Sequence, residues 1–156
     1  MTGAHLPRSS SSGRLYTPQM LALATRLATY PSLPDAPLHG AARSETCGGS
    51  LKLDLVLEGS NVRAIGMLVQ ACAVGQASAA LFADWAGGRE QNEIAASANA
   101  VIGWLSKTGP LPSSPDLSPV QEALAYPARH GAILLPWQAF ADALAAGELQ
   151  ESSGTT

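Results

Sequence analysis

A chain of 156 residues, 46% hydrophobic and only 13% charged, is long and apolar enough to bury one sizeable core. Its net charge of −3 leaves no basic footprint for nucleic acid, and no apolar run approaches the roughly 18 residues a membrane helix needs. Two cysteines, Cys47 and Cys72, do not make a disulfide framework. With no hydrophobic export segment, they are expected as thiols or metal ligands in a reducing cytoplasm.

Residues 1–14 are polar and contain Ser9-Ser10-Ser11-Ser12-Gly13, so they read as a disordered tail. Residues 149–156 read the same way, which leaves one ordered domain over 15–148. Thr17-Pro18 is a helix start, a capping hydroxyl followed by proline at the first helical position. Met20, Leu23, Ala24 and Leu27 recur at helical spacing behind it. Pro31, Pro34 and Pro37 then impose an extended connection. From Leu51 to Glu58 leucine occupies every second position and three of the four intervening residues are charged, the pattern of a strand with one wet face. Gly59-Ser60 forms a two-residue hairpin turn. The partner strand, Val62 to Gln70, has apolar residues on both faces, which predicts deeper burial.

After Cys72 the period becomes helical. Val74, Ala77 or Ser78, Leu81 and Trp85 mark one helix, stopped at Gly87-Gly88. Ile94, Ala98, Val101 and Leu105 mark a second. A proline- and serine-rich linker over 109–119 leads to a short helix at 119–125. Pro127 interrupts, and a last helix carries Leu134, Trp137, Ala141 and Leu144. The order predicts an α+β fold, a small antiparallel sheet of about three strands with helices packed on one face.

Cys47 lies in Thr46-Cys47-Gly48-Gly49, where two glycines permit a sharp turn and close approach of a ligand. Cys72 lies where strand gives way to helix, and the positive end of the helix dipole favours the metal-binding thiolate there. Antiparallel pairing brings the start of one strand beside the end of the next, so the two cysteines are expected as neighbours at one end of the sheet. Each is a candidate ligand, and each is also compatible with simple space filling, a common role of free cysteine. His130, in Arg129-His130-Gly131, offers an imidazole for a Cys/Cys/His metal site; the other reading is a loop histidine at a helix N-terminus. Ser44 and Ser78 lack a nucleophile-elbow context. No P-loop or dinucleotide-binding glycine pattern is present. Trp85, Trp104 and Trp137 fall on helical stripes and are expected in the core.

Four pieces occur in order: Tyr16-Thr17-Pro18, Cys47-Gly48 before an alternating strand, Cys72 before the small-residue helix Ala73 to Ala80, and Pro127-x-Arg129 followed by Leu135-Pro136-Trp137. Together they make the chain resemble the IscU/NifU N-terminal family of iron–sulfur scaffolds, including its SufU branch. The resemblance implies a site for a transient [2Fe–2S] cluster or Zn2+ at one exposed end of the sheet, with three cysteines and an aspartate or histidine as ligands. Cys47 and Cys72 match the first two cysteines. The aspartate position is Gly49, the third cysteine position is Ala132, and the residue before it is Gly131; His130 lies one further back.

The function this implies is assembly of a nascent cluster and its transfer to apo-proteins. The partners are a cysteine desulfurase and recipient apo-proteins, and the protein is a monomer or weak homodimer without enzymatic turnover. The alternative is a degenerate relative acting as a zinc-binding or regulatory interaction module. A third reading is a sulfur carrier holding a persulfide on Cys72.

Overall fold

The computed structural model describes residues 15–154; the expected N-terminal tail, 1–14, and residues 155–156 lie outside that range. Helix α1, Pro18–Thr25, opens as its sequence dictates, with the Thr17 hydroxyl accepting from the Met20 N–H at 3.1 Å and proline at the start. A 3-10 turn over Arg26–Thr29 follows. The chain then enters three strands, β1 (Leu38–Arg43), β2 (Ser50–Glu58) and β3 (Asn61–Gln70), paired antiparallel in the order β1-β2-β3. Helix α2 spans Ala73–Ala86 and α3 spans Gln91–Leu105. Two 3-10 segments, Ser118–Ala125 and Pro127–Arg129, lead into α4, His130–Gly154. This is the α+β architecture read from the sequence.

The leucine alternation of β2 does what it predicts. Leu51, Leu53 and Leu55 are fully buried and face Val69, Met67 and Ile65 of β3. The weaker alternation of β3 has a local cause. Register shifts between Val56 and Leu57, so that Val56 pairs with Ala64 and Leu57 with Val62. The extra residue, Arg63, makes a bulge that turns both Val62 and Ile65 toward the core. On the opposite face Gly66 is covered by the extended connection, and a Cβ there would meet the backbone of Pro31 and Leu33. The same connection is tied down where the Leu33 N–H donates to Asp54 at 2.7 Å and the Met67 N–H donates to the Tyr30 carbonyl at 2.9 Å.

Helices α2 and α4 cover the inner face of the sheet. Between them Phe82 meets Trp137 edge-on at 5.1 Å and Phe140 at 5.8 Å, and the buried Ser78 hydroxyl donates to the Ile133 carbonyl at 2.7 Å. Trp104 and Trp137 are buried as expected, while Trp85 is half-buried. Helix α4 lies directly on β1, and a Cβ on Gly40 would collide with the backbone of Ala139 and Ala143. Helix α4 carries Pro136 inside it and continues to Gly154, past the expected end of the domain at 148. Glu148, Leu149, Gln150 and Glu151 are all good helix formers, and nothing in that stretch breaks the helix.

Candidate functional site

Three segments converge at the end of the sheet where β2 starts and β3 stops. The first is the loop between β1 and β2. Its Ser44 N–H donates to the Gly49 carbonyl at 2.8 Å, and the Gly48 N–H donates back to the Ser44 carbonyl at 2.9 Å. Gly48 has φ +71°, a conformation that glycine adopts without strain. Cys47 is half-buried in this tight turn, its N–H 3.5 Å from the Ser44 hydroxyl. The second segment is the end of β3 and the cap of α2. Cys72, also half-buried, is the N-cap residue with extended backbone (φ −65°, ψ 171°), and its side chain makes no capping hydrogen bond. The two segments touch: a Cβ on Gly49 would stand 3.1 Å from the Ala71 Cβ. The hairpin therefore brings the cysteine-bearing segments together.

The third segment is the start of α4. Thr46 donates to the Ala128 carbonyl at 3.2 Å, and the Thr46 and Ser44 hydroxyls are 3.2 Å apart. Gly131 fits against this pair, so closely that a Cβ would overlap the Ser44 hydroxyl. Ala132 is fully buried. A Cβ on Gly75 of α2 would stand 3.3 Å from the Ala132 Cβ and 2.8 Å from that of Ala71. Gly75 thus lets α2 and α4 close on each other beside Cys72. No motif marks Ser44 and Thr46 as site residues; their signal in the sequence is a pair of hydroxyls just before Cys47.

His130 does not join the cysteines. Its Nε2 is 3.0 Å from the Leu124 carbonyl, to which it donates, so that nitrogen is committed to the preceding 3-10 segment. Among the described residues, no group of three or more histidine, cysteine, aspartate or glutamate side chains is placed to hold a metal ion. A tetrahedral zinc site needs four donors, or three and water, and a [2Fe–2S] cluster takes four. Two thiols, a glycine at 49 and an alanine at 132 do not meet that requirement. The outer sheet face next to the loop, formed by Arg43, Ser50, Lys52 and Gln70, is open. No helix among the described residues is long and apolar enough to cross a membrane.

No family model and no curated protein matches the sequence. Solved structures do. An N-terminal NifU-like protein from Brucella abortus superposes with a TM-score of 0.81 at 26% identity, over 90% of this chain and 99% of its own. A protein from Fervidobacterium islandicum AW-1, described as an iron–sulfur cluster assembly scaffold for the SUF system, superposes with a TM-score of 0.77 at 17% identity, over 85% of this chain and 98% of its own. Three antiparallel strands with helices on one face are matched over nearly the whole length, so the chain shares the architecture of the NifU-like N-terminal protein and of the SUF-system scaffold. In fold it is similar to IscU/NifU-type proteins.

Proposed function

We propose that the chain serves iron–sulfur cluster assembly as a scaffold-type protein, with the Cys47 and Cys72 thiolates as attachment points for the iron of a nascent iron–sulfide cluster. The observation that carries this reading is the contact of Gly49 with Ala71, which sets the two half-buried thiol segments side by side at an open end of the sheet. Loading is ligand exchange. Each thiol releases its proton and binds iron as thiolate, and delivery to a recipient apo-protein returns the thiol. A nascent cluster is here a cargo, and the donors that Gly49, Ala132 and His130 do not provide come from a second molecule. A cysteine desulfurase is the partner that supplies sulfur, as a persulfide that a thiol reductant of the reducing cytoplasm cleaves to sulfide.

The test is anaerobic reconstitution with ferrous iron, cysteine, a cysteine desulfurase and excess dithiothreitol as the reductant, read by visible absorption and by iron and acid-labile sulfide content. Equal iron and sulfide, lost in Cys47→Ser or Cys72→Ser, are expected. A colourless protein under those conditions sinks the reading. One observation favours a second reading, an interaction module that occupies the desulfurase without building a cluster: the alanine and glycine at positions 132 and 49. That module would bind the desulfurase and leave the solution colourless.

A further inference from the structure

Metal ions that tie separate segments together ordinarily supply part of the folding free energy of the junction they bridge, so chelators loosen such junctions. The three segments beside the thiols in this chain are tied by the chain's own groups. Loop and helix are joined through Thr46 to the Ala128 carbonyl and through the Ser44–Thr46 hydroxyl pair seated on Gly131. Helices α2 and α4 are joined through Gly75 against Ala132, and the loop meets the strand end through Gly49 against Ala71. Ala132, which the resemblance sets at the third-cysteine position, is a fully buried methyl. A shift of the loop to recruit His130 would break its bond to Leu124 and unseat Gly131.

We infer that this junction is metal-independent: small-residue packing and two hydroxyls close it, and the Cys47 and Cys72 thiols by themselves retain neither zinc nor ferrous iron. The inference rests on these contacts and the donor count. It stands or falls separately from a role in cluster assembly, which is tested with a desulfurase present.

The experiment uses the full chain alone, reduced and anaerobic. Thermal melts are compared for the protein as prepared, with one equivalent of zinc, and with excess EDTA. Zinc and ferrous iron remaining after desalting are then measured against a chromophoric chelator. One melting temperature in all three conditions, with neither metal retained, is expected. A fall in melting temperature with EDTA overturns the inference. So does stoichiometric zinc that raises the melting temperature and is lost in Cys47→Ser. The variant Gly49→Asp with Ala132→Cys supplies the two absent donors and is expected to retain zinc one-to-one. A folded double variant that retains none would show that donor count does not limit the site and would overturn the argument. The wild-type melts decide the matter even where the variant does not fold.

Discussion

Gly131 and Ser44 are packed so closely that a methyl group on the glycine would overlap the serine hydroxyl, with the Thr46 hydroxyl only 3.2 Å away on the same side. Gly131 sits in the first turn of α4, where alanine has the better helix propensity by about 1 kcal/mol. Packing and propensity therefore predict opposite signs for Gly131→Ala. Because Ser44 must rotate and surrender its contact with Thr46, the expected outcome is a net loss of about 1–2 kcal/mol, in the range of small overpacking defects. Denaturant unfolding measures it. A variant more stable than wild type would mean that the junction is loose.

Cys72→Ser is expected to stabilise the fold while removing a thiol. Cys72 already has N-cap backbone geometry but makes no capping hydrogen bond, and serine is among the best N-cap residues. A gain of about 0.5–1 kcal/mol in unfolding free energy is expected. A loss would show that the thiol itself packs favourably at the site. The substitution also keeps metal-loading experiments free of unfolding artefacts.

Tyr30, Asp84 and Arg26 form an exposed network joining the turn after α1 to α2. Arg26 holds the carboxylate with two bonds, at 2.9 and 3.0 Å, and the Tyr30 hydroxyl donates to the same carboxylate. Burial, together with the hydrogen bond and negative charge of Asp84, pushes the Tyr30 hydroxyl up to about 12. Burial pulls Asp84 upward, but the hydrogen bonds from Arg26 and Tyr30 and the Arg26 charge outweigh it and hold the carboxyl below its ordinary range. For Tyr30 the raised value means that the neutral hydroxyl stabilises the fold below pH 10, an effect lost between about 10 and 12. For Asp84 the lowered value means stability that is present above the unfolded carboxyl value and is lost as pH falls through the folded one. Both effects are expected to be small, because the arginine and aspartate side chains are 52% and 29% exposed. Phenolate absorbance checks this. A late step near pH 12 is expected in wild type, absent in Tyr30→Phe and moved down in Asp84→Asn.

Ser78→Ala removes a buried hydroxyl that bridges α2 to the Ile133 carbonyl of α4. A cost of about 1 kcal/mol is expected, the usual net worth of one intramolecular hydrogen bond. Threonine in its place would restore the donor but add a methyl to a fully buried position, so it is expected to rescue incompletely. Equal unfolding midpoints for wild type and Ser78→Ala would show that the bond contributes nothing.

The hairpin over β2 and β3 was readable because alternating leucines and a two-residue turn are local signals, and both cysteine positions followed from it. Strand β1 was not located. Leu38-His39-Gly40-Ala41-Ala42-Arg43 has no β-branched residue, and its pairing is set by tertiary contacts: β2 on one side and α4 lying over Gly40. His130 was placed at a helix start from local sequence and does stand there. Its bond to Leu124 depends on how the 3-10 segment folds back, which no spacing rule reports. The resemblance assigns the third-cysteine position to Ala132; that its methyl is locked between helices comes only from packing.

A small open sheet has two margins, and bare margins invite other chains to add strands and grow into aggregates. Here the Ala41 N–H on β1 is taken by the Asp142 carboxylate at 2.9 Å. On β3 the Val62 N–H goes to the Arg89 carbonyl at 2.8 Å, and the Met67 N–H goes to the Tyr30 carbonyl. Helix and connection thus act as selvedges that keep the fabric from being extended. The end of the sheet that carries the two cysteines can thus stay open without the sides being offered for strand addition.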